Sequence, residues 1–325
     1  MSVKAVLRRC APIVLFLSLS GANGSMCNKP AGGEASKDPE QTVDVNLAEV
    51  DTSTLTPREK RDWSGYVSEL LAPCSDTPVS LAQCVQEKRA CSRCLPAAKM
   101  ILRAVRDGYA KEQVEHAFHN RFDAERVRNV PIDDSPSRGS SSSPIVLVEF
   151  ADFTCPHCQA LAPQLDKFVD DRKEVRFVYK FYPLTGQGHE RADPAARAAW
   201  AANIQGKFWE MHKKLFENPD NLEQGDFERY AKDLGLDVAK FRADMQAQGT
   251  TDKIAADRKL GDALDVHGTP TLFINGREYD KSQGLDDWVD LELQLKGVSS
   301  ALVAVKPDAS ASAAPSASIA QPKPK

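Results

Sequence analysis

Ile145-Val146-Leu147-Val148-Glu149-Phe150 runs through Ala151-Asp152-Phe153-Thr154 into Cys155-Pro156-His157-Cys158. The apolar run has the length and composition of a buried strand. The residues after Cys158 recur at helical spacing, so the two cysteines sit where a strand hands over to a helix. A helix N-terminus presents unpaired N–H groups and a partial positive charge, and both favour a thiolate over a thiol. Cys155 can attack a disulfide, and Cys158, one turn later, can resolve the mixed disulfide. The competing readings of the tetrad are a structural staple or half of a zinc site. No further Cys pair or Cys/His cluster with metal-ligand spacing follows it in this part of the chain, so neither a metal nor a cofactor is expected.

The chain has 325 residues, enough for two domains, and 42% hydrophobic residues, enough for packed cores. Its net charge of −4 gives no general case for nucleic-acid binding. Lys4, Arg8 and Arg9 precede the short apolar stretch that begins Ile13-Val14-Leu15-Phe16-Leu17, the pattern of an export signal over 1–22. Ser20-Gly21-Ala22 offers a small-residue cleavage site. Cleavage before Cys27, with lipidation of that cysteine (residues 1–26 then being the signal), is the second reading, and a retained membrane anchor is the third. The residues before Cys27, Gly24-Ser25-Met26, are a poor lipidation signal because Met is large beside the cut. Eight cysteines fit an oxidising compartment outside the cytoplasm, periplasmic or envelope-associated.

Residues 23–51 are polar and rich in small side chains, and read as a tether. A small all-α domain is expected over 52–130. Thr56-Pro57-Arg58-Glu59 has the residues of a capping box with proline at the first helical position. Further helices are expected over Ser80–Gln86, Leu95–Asp107 and Lys111–Phe122. Residues 131–144, with Arg138-Gly139 and four serines before Pro144, read as a linker. A second domain spans 145–298, and an Ala/Ser/Pro tail over 299–325 should be disordered.

In the second domain Val175–Phe181 alternates like a strand, and 190–217 carries one long helical pattern. Helical segments follow over 226–248 and 251–265. Leu272-Phe273-Ile274 and Arg277-Glu278-Tyr279 flank Asn275-Gly276, a hairpin turn signal. With Cys155-Pro156-His157-Cys158, Gly268-Thr269-Pro270-Thr271 and Gln205-Gly206-Lys207-Phe208-Trp209-Glu210-Met211-His212, this half resembles the DsbA-like branch of the thioredoxin superfamily. The resemblance covers about 150 of the 325 residues. It implies an α/β, thioredoxin-like fold with an inserted helical subdomain.

The resemblance also implies that Pro270 is a cis-proline facing the sulfurs. The peptide at Thr269 would then expose backbone groups with which a substrate strand pairs. Cys155 is the expected nucleophile and Cys158 the shielded resolving thiol, with Pro156 and His157 between them. The His157 imidazole is expected to favour the Cys155 thiolate. Glu149, six residues before Cys155, stands where relatives carry a buried acid, and could relay a proton to or from Cys158 with Lys180 as its partner. The plainer reading of Glu149 is a solvated ion pair on an edge strand. Thr269 occurs in both oxidase and isomerase branches of the family and does not separate them.

Cys74, Cys84, Cys91 and Cys94 allow three pairings, and the sequence does not choose among them. They read as two structural disulfides in a domain with a small core. A second redox pair at Cys91-Ser92-Arg93-Cys94 and a zinc site are the alternatives. The functional expectation is an exported thiol–disulfide oxidoreductase, most readily an oxidase, acting on cysteine-containing exported proteins. An unidentified membrane or soluble redox partner would regenerate it. An isomerase or reductase of the same fold is the alternative within the class. A thioredoxin-like peptide-binding chaperone module is the alternative outside it.

Overall fold

The computed structural model describes residues 44–132, 134–281 and 283–298. The export signal, Cys27 and the C-terminal tail lie outside the described residues.

Four helices come first: α1 (Pro57–Glu69), α2 (Leu81–Gln86), α3 (Cys94–Arg106) and α4 (Lys111–Phe122). The start of α1 is set by the expected capping box. The Thr56 side chain accepts from the Glu59 N–H, and the Glu59 carboxylate accepts from the Thr56 N–H at 2.7 Å. The Ser80 hydroxyl accepts from the Gln83 N–H at the start of α2. Gly108 follows α3 at φ +76, a conformation glycine reaches at no steric cost. Trp63, Val67, Leu81, Ile101, Val114 and Phe118 are buried in one core. Leu71, which extends the apolar stripe of α1 in the sequence, is instead exposed, because α1 ends at Glu69 and Leu71 bridges to Ser80.

The second part is a five-stranded sheet: β1 (Ser137–Arg138), β2 (Ile145–Ala151), β3 (Val175–Phe181), β4 (Thr271–Ile274) and β5 (Arg277–Glu278), in the order β1-β3-β2-β4-β5. β1 lies within the stretch read as a linker and pairs antiparallel with β3. β2 and β3 are parallel, joined through α5 (Pro156–Asp171). The long pattern over 190–217 divides into α6 (Ala192–Ile204) and α7 (Phe208–Glu217), with Gly206 at φ +75 in the break. Helices α8 (Gln224–Asp233), α9 (Val238–Gln246) and α10 (Gln248–Ala263) complete the insert, and α11 (Leu285–Leu295) follows the hairpin.

Alternation along β2 and β3 sorts the side chains. Ile145, Leu147, Val175 and Phe177 pack with Leu165 of α5 and Trp288 of α11. Val148, Phe150 and Val178 face the opposite layer, with Tyr182 and Leu264. β2 is thus central and covered on both sides, which is why it reads as nearly continuous apolar sequence.

The helical part is joined to the sheet by buried polar contacts. Arg121 Nη1 of α4 meets Glu292 Oε1 of α11 at 2.6 Å, and its guanidinium lies 4.6 Å from the Trp288 ring centroid. Arg277 donates to the carbonyls of Asn120 (3.1 Å) and Asp123 (2.6 Å), and Asn120 Nδ2 donates to the Glu278 carbonyl at 2.9 Å. The Arg128 N–H donates to the Gly276 carbonyl at 2.7 Å, and a Cβ on Gly276 would stand 2.3 Å from the Arg128 carbonyl oxygen. Truncating one member of a buried pair strands the other charge. Arg121→Ala is therefore expected to lower stability by about 3–5 kcal/mol in urea unfolding. Arg103→Ala, which removes the half-exposed pair with Asp287, is expected to cost less than about 1 kcal/mol.

Candidate active site

β2 ends at Ala151, and the turn that follows is held by a buried carboxylate. Asp152 Oδ1 accepts from the Thr154 N–H (2.7 Å) and hydroxyl (2.9 Å), while Oδ2 accepts from the Leu184 N–H at 2.9 Å. This ties the loop after β2 to the loop after β3. The Thr154 hydroxyl also meets His189 Nδ1 at 3.2 Å. The Cys155 N–H donates to the Asp152 carbonyl at 3.2 Å. Cys155 then occupies the N-cap of α5 with Pro156 at the first helical position, where its missing N–H costs nothing.

Cys155 is 5% exposed and Cys158 is fully buried, and neither is disulfide-bonded here. The Thr269–Pro270 peptide is cis, and the Thr269 carbonyl lies 3.3 Å from Cys155 Sγ, within reach of its S–H. Cys155 is held down to about 5, first by a hydrogen bond from the Cys158 thiol, then by the side chain of Thr269 and the backbone N–H groups of Cys158 and His157, against an opposing effect of burial. Cys158 is pushed well above the ordinary thiol range by the same bond to Cys155, by burial and by the charge of Glu149. One sulfur is therefore set up as an anion and the other as the proton holder. The His157 imidazole is exposed, and what that residue supplies to Cys155 is its backbone N–H.

Glu149 is buried on central β2, so the solvated edge-strand reading does not apply. Neither carboxylate oxygen has a hydrogen-bond partner among the described residues. Burial pushes its carboxyl up to about 8, with smaller contributions from Asp166 and Cys155. Lys180 is not its partner. The register places Glu149 beside Tyr179, which puts Lys180 on the opposite face of the sheet. There Lys180 Nζ meets Asp257 of α10 at 3.0 Å, with both side chains buried. The sequence signal of one acid and one base on adjacent strands missed the one-residue offset that sends them to different layers.

Two further buried polar groups line the Glu149 face. The Tyr179 hydroxyl and His212 Nε2 have no hydrogen-bond partner among the described residues, and their rings meet edge-on at 5.4 Å. Burial, and then the charge of Arg138, hold His212 down to about 3, so its ring is neutral. Asp152, Tyr179, His189 and His212 were not singled out from the sequence as site residues. Asp152 alone carried a local signal, an Asx-type turn two residues before Thr154.

The four remaining described cysteines form two disulfides, Cys74–Cys91 and Cys84–Cys94. They lie in the helical core and not at the Cys155 site. No helix among the described residues is long and apolar enough to cross a membrane.

Two titrations test this electrostatic arrangement. In the reduced protein, alkylation of Cys155 is expected to reach half its plateau rate near pH 5, far below the free-thiol value of about 8.5. A lowered thiol pKa adds stability to the reduced fold that is fully present above the unfolded value and vanishes as pH falls through the folded one. For Cys155 that window runs from about 8.5 down to about 5. Glu149 has the opposite sign. Its raised pKa makes stability fall as pH rises from about 4.3 toward 8. In the oxidised protein, where neither sulfur titrates, Glu149→Gln is expected to flatten that fall in a series of thermal melts.

Residues 132–291 match the sequence model of the thioredoxin family. A thioredoxin-like oxidoreductase from Silicibacter pomeroyi is 30% identical, with a TM-score of 0.45, over 55% of this chain and 99% of that one. BdbD from Bacillus subtilis is 21% identical, with a TM-score of 0.46, over 52% of this chain and 96% of that one. Among curated proteins, the Na(+)/H(+) antiporter NhaA 3 of Salinispora tropica is 41% identical over 152 residues. That match takes in 46% of this chain but only 23% of the antiporter, so the chain spans about a quarter of the length of such relatives. The paired cysteines at the start of α5, the cis peptide before β4 and the family match over the same residues place residues 132–291 of this chain in the thioredoxin superfamily.

Proposed function

We propose that this protein is an exported oxidase of protein thiols, with Cys155 as the nucleophile and Cys158 as the resolving thiol. The observation that carries the reading is the placement of Cys155. Its sulfur is at the N-cap of α5, held as an anion near neutral pH, and 3.3 Å from the carbonyl of a cis X–Pro peptide. In the oxidised enzyme a substrate thiolate attacks Cys155 Sγ, forms a mixed disulfide and expels the Cys158 thiolate. A second substrate thiolate then attacks the substrate sulfur of the mixed disulfide, forms the product disulfide and releases Cys155 as a thiolate. Cys158 regains a proton, for which Glu149 is the buried acid and base at hand. An external oxidant restores the Cys155–Cys158 bond. Thr269 and Pro270 offer backbone groups to the incoming chain, so recognition is of extended backbone more than of side chains.

Stabilising the Cys155 thiolate stabilises the reduced enzyme, which makes the disulfide form the stronger oxidant. This favours oxidase over reductase. A pure peptide-binding module requires neither thiol, so the shifted pair favours an enzyme. Export rests on the signal-like N-terminal sequence and on the two disulfides of the helical part, which persist in oxidising compartments. The antiporter name belongs to a protein of which this segment is a minor share, and it is not carried over.

Cys155→Ser is expected to abolish thiol oxidation of a reduced protein substrate, and Cys158→Ser to accumulate enzyme–substrate mixed disulfides visible on non-reducing gels. Equilibration with glutathione is expected to place the couple above about −200 mV. A potential near that of thioredoxin, about −270 mV, would assign the protein to reduction instead.

A further inference from the structure

We propose that the two disulfides of the helical part are a second redox centre, in which Cys91 exchanges partners between Cys74 and Cys94. The sulfurs of Cys84, Cys91 and Cys94 all lie within 4.8 Å of one another, although Cys91 is bonded to Cys74 and Cys84 to Cys94. The two bonds are therefore packed side by side, closer than two independent staples require. Their exposure is unequal. Cys74, in the loop between α1 and α2, is partly exposed, whereas Cys84 is 0%, Cys91 6% and Cys94 2% exposed. A thiol from outside reaches the cluster through Cys74.

Cys91 and Cys94 stand at the start of α3 in the same C-x-x-C spacing as Cys155 and Cys158. The Cys94 N–H donates to the Cys91 carbonyl at 3.3 Å, so a turn brings the two residues together. The positive end of the α3 dipole favours an anion there. An external thiolate RS⁻ attacks Cys74 Sγ, forms R–S–S–Cys74 and releases Cys91 as a thiolate. The Cys91 thiolate attacks Cys94 Sγ, forms Cys91–Cys94 and expels Cys84 as a thiolate, which regains the proton given up when the incoming thiol ionised. A second RS⁻ attacks the R sulfur on Cys74, forms RSSR and expels Cys74 as a thiolate, which takes a proton from solvent. Two thiols are oxidised to one disulfide, and the protein gains two electrons, stored as the Cys74 and Cys84 thiols. The co-reactant is a low-molecular-weight or protein thiol. The intramolecular attack has a high effective concentration because the sulfurs are already neighbours, so a buried bond is exchanged without opening the core. This inference does not depend on the Cys155–Cys158 chemistry.

The full chain is treated with limiting glutathione, acid-quenched and alkylated, and its disulfides are mapped by mass spectrometry. The expected one-disulfide species has a Cys91–Cys94 link with alkylated Cys74 and Cys84. If every such species instead keeps Cys84–Cys94 and carries label on Cys74 and Cys91, the proposal is overturned. Cys74→Ala gives a second measurement, without reductant. Label among Cys84, Cys91 and Cys94 is expected to divide between Cys91 and Cys84, and label confined to Cys91 overturns the exchange. If that variant does not fold, the map of the unmodified chain decides alone. Cys155→Ser leaves the expected pattern unchanged, which separates failure here from failure of the oxidase reading.

Discussion

The Cys158 thiol donates to Cys155 at the place where β2, α5 and the cis peptide before β4 converge. For that bond to polarise the pair, the two sulfurs need different surroundings. Cys155 has the first-turn amides of α5 and the Thr269 side chain, whereas Cys158 has burial and the Glu149 carboxyl. Asp152 supports the arrangement from below, because it fixes the turn that sets where α5 begins. Helix start, cis peptide and buried acid all converge on one proton and the sulfur that keeps it.

The helical part does not float beside this domain. Arg121, Arg277 and Asn120 join it to β5 and α11 through charges and backbone carbonyls that are buried or partly buried. Such contacts are directional, so they set the orientation of the two parts more sharply than apolar packing alone. Leu291 of α11 adds an apolar contact to the helical core from the sheet side. The described residues accordingly belong to one compact unit.

Much of this was legible in the chain. Capping at Thr56, the Gly108 stop, the Val175–Phe181 strand and the Asn275-Gly276 turn are local signals, and local chemistry decides them. The cysteine pair was legible for the same reason, whereas the cis peptide at Pro270 was legible only through the family resemblance. What was not legible depends on register and on distant partners. Two residues, Ser137 and Arg138, are too short a strand to show periodicity, yet β3 recruits them. Lys180 looked like a partner for Glu149 until the pairing frame put them on opposite sides of the sheet. His189 reaches Thr154 only through folding of the loop after β3. The pairing of Cys74 with Cys91 depends on how α1 to α3 pack, which spacing does not specify.

The placement of α4 against β5 has a consequence for self-association. An open sheet border is a template on which an unfolded chain can add a strand, and proteins that meet unfolded chains are exposed to that hazard continually. Here the Asn120 amide occupies the Glu278 carbonyl and Arg277 is tied down by α4, so the border at β5 is closed by a helix of the same molecule. That flank is thereby a poorer template for strand addition by another chain.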